Sequence, residues 1–174
     1  MNDIAHNGRI VTLSDLPALQ AALADAIDWR SPNSPPDPEA LIDLKGHGYL
    51  LDNWGRAGDT AVVAESEESA IGAAWYRYWT DDLHSYGYID PATPELGLGV
   101  DASHRRRGVA TSLLTALFAL AREQGVRSLS LSVERDNPAV DLYQELGFER
   151  LCDVGDAWTM VKRIRATNIP GASA

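Results

Sequence analysis

The chain has 174 residues, 45% of them hydrophobic, with 15 Lys and Arg against 25 Asp and Glu, a formal charge of −10. That length suits one domain with a sizeable core, and the acidic balance argues against non-specific binding to nucleic acid phosphates. Cys152 is the only cysteine, which excludes an intrachain disulfide and a CxxC metal site.

The opening stretch, MNDIAHNGRI, has no apolar core like that of a secretory signal, and no apolar run is long enough to span a bilayer. The expected location is therefore reducing and cytoplasmic. Residues 9–13, RIVTL, read as a first strand. SDLPALQAALADAIDW follows as a helix, with Ser14 as N-cap and Leu16, Leu19, Leu23 and Ile27 at helical spacing. Residues 31–38 carry four prolines and must be a loop. A short helix is expected from near Pro38, ending by Gly46. Residues 60–65 and 70–80 read as two strands joined by a polar turn, an antiparallel hairpin.

Residues 94–100, PELGLGV, have strand character but contain two glycines. A long helix is predicted from about Gly108 to Gln124, stopped by Gly125, with Val109, Leu113, Leu117 and Ala121 on one stripe. Residues 128–133, SLSLSV, alternate strictly and form a strand. NPAVDLYQEL is a short helix with Asn137 as N-cap, Pro138 at its first position and Gly147 past its end. Residues 155–164 read as the last strand, and residues 166–174 as a flexible tail after a single domain over 1–165. The order predicts an α/β fold with a mixed sheet. The strand–helix–strand unit over 95–133 is expected to make a right-handed parallel crossover.

SHRRRGVAT, residues 103–111, is the most informative stretch. Three adjacent arginines are most often a solvated surface run. Here they lie between a strand and the first turn of a long helix. Helix N-termini leave backbone N–H groups unpaired and carry partial positive charge. Gly108 allows a ligand close to the backbone, and Ala110 and Thr111 keep the next turn open. The pattern suits an anion, phosphate above all. The P-loop pattern GxxxxGK[ST] is absent. GLGVDA, residues 97–102, matches GxGxxA, but there the helix should open at the second glycine, and here a charged loop intervenes.

RRRGVA fits the (Q/R)xxGx(G/A) signature, and LGLGVDASHRRRGVATSLL resembles motif A, of the GNAT superfamily of N-acetyltransferases. NPAVDLYQELGF is similar to its motif B, at the right distance, so the resemblance spans residues 95–151. It implies a mostly antiparallel sheet whose central parallel strand pair is splayed for acetyl-CoA, flanked by helices. It implies that backbone N–H groups of Arg106, Arg107, Gly108, Val109, Ala110 and Thr111 cradle the pyrophosphate, with Arg105 and its neighbours adding positive potential. Leu98, Gly99 and Val100 would lie along the pantetheine arm. Gly97 and Gly99 fit a bulge or a close backbone approach, or packing relief. Asn137 would contact the cofactor as well as cap its helix.

Tyr143 is the implied general acid for the departing CoA thiolate, although its position also suits a core aromatic. Glu95 is the first candidate for a base that deprotonates an ammonium acceptor; Asp82 and His84 are weaker candidates, and His104 reads as a loop residue. No metal is implied. Trp75, Tyr76, Tyr78, Trp79, Tyr86 and Tyr88 could wall an acceptor site, with Asp81, Asp82 and Asp90 attracting a cation. Trp75 and Trp79 also fit a shared strand face in the core. The expected activity is acetyl transfer from acetyl-CoA to a primary amine of a small cationic molecule. The alternatives are a protein lysine or N-terminal amine, and a non-catalytic CoA-binding regulatory module. A homodimer is common in the family, by analogy alone.

Overall fold

A computed structural model describes residues 9–11, 15–31, 37–44, 46–66 and 69–165. The strands are β1 (Arg9–Ile10), β2 (Thr60–Glu65), β3 (Ala70–Arg77), β4 (Glu95–Val100), β5 (Ser128–Glu134), β6 (Glu149–Val154) and β7 (Ala157–Arg163). The helices are α1 (Leu16–Ile27), α2 (Pro38–Leu44), α3 (Val109–Glu123) and α4 (Ala139–Glu145). All strands join one sheet in the order β1-β2-β3-β4-β5-β7-β6. Only β4 and β5 run parallel; the other neighbours are antiparallel. The mixed, mostly antiparallel sheet with one central parallel pair is therefore present.

Period-two alternation assigns the two faces. On one face Val62, Ala64, Ala74, Tyr76, Leu96 and Val100 pack against the α3 stripe of Val109, Leu113, Leu117 and Ala121. On the other, Ala61, Val63, Ala73 and Trp75 pack against Leu19, Ala22 and Leu23 of α1. Adjacent Trp75 and Tyr76 thus belong to different cores.

Three elements differ from the sequence expectation. The first strand covers only Arg9–Ile10, and Ser14 and the tail at 166–174 lie outside the described residues. β3 ends at Arg77, so Tyr78 and Trp79 belong to the following loop. β6 has no counterpart among the expected elements. All six of its residues are exposed, so no buried face imposes an apolar alternation on its sequence. Its pairing with β7 makes it a strand.

Candidate active site

β3 and β4 stay in register from Gly72↔Val100 to Arg77↔Glu95. β4 and β5, in contrast, share a single register pair, Glu95↔Ser130, supported by Ser130 N–H donating to Pro94 O at 3.1 Å. Beyond that point the ladder stops and a cleft of about 1220 Å³ opens between the strands. Its lining includes Gly97, Leu98, Gly99 and Val100 from β4, and Ser132, Val133 and Glu134 from β5. The parallel pair is therefore joined at a narrow end and parted at a wide end.

The two glycines of β4 do not mark a bulge against β3, since that register is unbroken. A Cβ on Gly97 would lie 2.3 Å from the Trp75 ring, and one on Gly99 only 1.7 Å from Ala22 O. Gly97 makes room for an indole and Gly99 for the backbone of α1. Both glycines mark close approaches, and the register shows no bulge against β3.

At the wide end, Ala102–His104 form a 3-10 turn, and the loop after it passes through left-handed Arg106 (φ 59°) and Gly108 (φ 81°). Nothing would crowd a Cβ at Gly108, so it is the backbone conformation that favours glycine there. Ser112 N–H donates to Gly108 O at 3.0 Å, closing the first turn of α3. The N–H groups of Val109, Ala110 and Thr111 precede any i−4 carbonyl of the helix and remain at its end. Gly108, Val109, Ala110 and Thr111 line the cleft, as do Arg105 and Arg106; Arg107 does not.

The arginines are not equivalent. Arg106 and Arg107 are exposed. Arg105 turns inward: Nε donates to Val100 O (3.0 Å), Nη1 to Trp29 O (3.3 Å) and Nη2 to Asp25 O (3.2 Å). Its hydrogen bonds are spent on the ends of β4 and α1. His104 ends the 3-10 turn and lines the cleft, with Nδ1 2.9 Å from Asp101 Oδ1.

α4 and the turn before it bring two more expected residues to the cleft, Tyr143 and Asn137. Asn137 Oδ1 accepts from Ala139 N–H at 2.9 Å, which is the capping role. Helical geometry starts one residue later than expected, at Ala139. Past the helix end, left-handed Gly147 (φ 86°) reverses the chain so that Phe148 N–H donates to Tyr143 O at 2.9 Å. The Phe148 ring meets the Tyr143 ring edge-on, 5.6 Å between centroids. Tyr143 is thus both a core aromatic and a cleft residue, and burial pushes its phenol pKa up.

Glu95 stands at the narrow end. Oε1 accepts from Gly87 N–H at 2.8 Å, while Oε2 is buried with no hydrogen-bond partner. Burial pushes the carboxyl up to about 7; the Gly87 N–H, the Ser85 hydroxyl and nearby His84 pull the other way. Gly87 is needed because a Cβ there would lie 2.6 Å from the Leu131 carbonyl carbon and 2.8 Å from Glu95 Oε1. The loop carrying Ser85 and Gly87 therefore lies against β5 where the strands part.

Trp75, Trp79 and Tyr86 line the cleft as expected, joined by His47 and Leu50. The other proposed walls do not. Tyr76 faces the α3 core and donates to Gln124 Oε1 at 2.8 Å. Tyr78 packs over Gly58. Tyr88 stacks on His84 (4.5 Å) and donates to Asp81 at 2.5 Å, outside the cleft lining. Asp81, Asp82 and Asp90 are exposed, and they and His84 are absent from the lining. Strand alternation removed Tyr76, and the loop's path removed the rest.

Sequence reasoning missed Arg77. It is buried, pairs with Asp59 (Nε–Oδ1 2.9 Å, Nη2–Oδ2 2.6 Å) and donates to Leu50 O and Asp52 O, both at 3.0 Å. This ties residues 50–59 to the end of β3. Ser85, Gly87, His47, Trp29 and Arg30 were also missed. Only Gly87, set between two tyrosines in a loop, carried a sequence hint of close approach. Among the described residues, no group of three or more His, Cys, Asp or Glu is placed to hold a metal ion, and no helix is long and apolar enough to cross a membrane.

The sequence matches the acetyltransferase (GNAT) family over residues 23–148. The chain belongs to that family. Among relatives of GNAT type, a mycothiol acetyltransferase of Saccharomonospora viridis is 28% identical over 136 residues, 78% of this chain. The chain spans only 42% of that relative's length. The crystal structure of a ribosomal-protein-alanine N-acetyltransferase from Brucella melitensis superposes with a TM-score of 0.65 and 29% identity, covering 90% of this chain and 99% of that one. A PaiA N-acetyltransferase from Thermoplasma acidophilum, solved in complex with coenzyme A, gives a TM-score of 0.64 at 16% identity, with 90% and 99% covered. The last comparison shows the GNAT fold alone.

Proposed function

We propose that the protein transfers the acetyl group of acetyl-CoA to a primary amine of a small molecule, with Glu95 as base and Tyr143 as acid. The observation that carries this reading is the open β4–β5 cleft, with an anion loop at its wide end and a buried, protonatable carboxylate at its narrow end. The pyrophosphate fits the loop of Arg106 to Thr111, where left-handed Arg106 and Gly108 turn the backbone ahead of the unpaired α3 N-terminus. The unpaired edges of β4 and β5 offer backbone groups to the amides of the pantetheine arm. Acetyl-CoA, when bound, supplies a thioester whose carbonyl carbon an amine attacks, with CoA as the leaving group.

A primary amine of ordinary basicity arrives protonated, with a pKa of about 10.4. Glu95, held near 7, is ionised in about half of the molecules at neutral pH and takes the ammonium proton through its unpartnered Oε2, directly or through a water. Tyr143 stays protonated because burial disfavours the phenolate, so its hydroxyl is available to protonate the departing sulfur. Trp75, Trp79 and Tyr86 present aromatic faces to the acceptor. The test is twofold. Calorimetric titration with acetyl-CoA should show one site per chain, and a panel of amines and peptides should show amine-dependent CoA release. No binding at millimolar acetyl-CoA overturns the cofactor assignment; release only with peptides overturns the small-molecule acceptor.

A further inference from the structure

The parted ends of β4 and β5 are not left unconnected. Residues 25–30, the last turn of α1 and the chain just after it, cross from one strand to the other. On the β4 side the link is Arg105, whose guanidinium holds Val100 O, Asp25 O and Trp29 O. Asp25 Oδ1 adds a charge 3.6 Å from Nη2. On the β5 side the link is Arg30. Its Nη2 donates to both oxygens of Asp136, at 2.7 and 2.9 Å, and its Nη1 pairs with Glu134. The Arg30 guanidinium lies 4.3 Å from the centroid of the Trp29 ring, which orients it. Asp25, Trp29, Arg30 and Glu134 all line the cleft.

The two attachments differ in kind. Arg105 is part-buried and bonded to backbone carbonyls of a helix end, where a cation is favoured. The Arg30 side chain is 53% exposed, and its partners Glu134 and Asp136 are 43% and 69% exposed. The Asp136 pair is wet and therefore weak and salt-sensitive, whereas the Glu134 Oε2 that meets Arg30 is itself covered. The crossing segment therefore has a firm end on β4 and a releasable end on β5.

We propose that Arg30, Glu134 and Asp136 are positioning residues for acetyl-CoA, fastening residues 25–30 as a strap across the open end of the sheet. The strap closes over the channel for the cofactor arm, and its Arg30 end releases to let the arm pass in and out. This inference rests on the cofactor reading above. A strap fastened at both strands slows entry and exit alike.

Stopped-flow binding of acetyl-CoA to the full chain tests it, with Arg30→Ala and, separately, the double variant Glu134→Gln/Asp136→Asn. Both should raise kon and koff by a similar factor, roughly fivefold, and leave Kd within about twofold. Raising salt should speed koff of the wild type more than that of either variant. Unchanged rates overturn the strap. So does a rise in Kd with unchanged kon, which would make Arg30 a direct ligand of the cofactor. An effect of Arg30→Ala that the double variant does not reproduce also overturns it. Melting curves of both variants check that the fold is intact. If the wild type itself does not bind acetyl-CoA, the cofactor reading fails; if it binds and the variants do not differ from it, only the strap fails.

Discussion

The two ends of the cleft are built on opposite principles. The wide end is made of backbone: a left-handed arginine and glycine, and the N–H groups that open α3. The narrow end is made of one side chain, Glu95, removed from water by a loop whose Gly87 touches β5. A backbone site binds whatever its geometry accepts and tolerates side-chain change. A buried carboxylate acts through its protonation state and tolerates almost none. The difference teaches that substitutions at the two ends should separate cofactor affinity from turnover.

The sharpest way to break the comparison is to break the shape both ends share. Gly99→Ala forces a methyl into Ala22 O and should destabilise the fold by about 3 kcal/mol or more, read from urea unfolding. At the narrow end, Glu95→Gln should lower kcat/KM about 10²-fold while acetyl-CoA Kd stays unchanged. The wild-type kcat/KM should rise with pH through about 7 as Glu95 ionises, and the variant should lose that limb. Stability moves the other way. The folded carboxyl holds its proton to about 7, the unfolded one only to the ordinary 4.5. Its contribution is complete below the lower value and is lost as pH rises to the higher, so Glu95→Gln should flatten the fall of stability across that window.

Tyr143→Phe should lower kcat about tenfold, less than the base variant, because a thiolate with a pKa near 8.5 leaves tolerably without an acid. Equal turnover would leave Tyr143 as packing alone. Asn137→Ala removes the bond to Ala139 N–H and should cost about 1 kcal/mol in thermal unfolding. The smallest effect belongs to Arg107→Ala at the wide end. An exposed charge outside the lining should change acetyl-CoA Kd by about twofold at physiological salt. A tenfold loss would show that side chains, and not backbone, carry the wide end.

The wide end was legible because its determinants are local. Gly108 needs a left-handed backbone, Asn137 caps the next turn, and Gly147 ends it, so neighbours in sequence hold the evidence. The narrow end was legible only as a single residue. Glu95 could be named as a strand-end carboxylate. Its shifted pKa depends on Ser85 and Gly87, which come from a loop of irregular path. The same loop carried the main errors: Asp81, Asp82 and Asp90 share a segment with Tyr86 but not its surroundings. β6 was missed because a fully exposed strand leaves no apolar period to read.

The sequence by itself determined the helices, the strands other than β6, and the family, because each depends on residues within a few positions of one another. Only the tertiary structure decided where β4 and β5 part, which arginine turns inward, and which aromatics face the cleft. Arg105 and Trp29 are 76 positions apart, and Arg30 and Asp136 are 106 apart. Contacts at such separation leave no periodic trace in the chain, since they arise from how whole elements pack and not from what any one segment prefers.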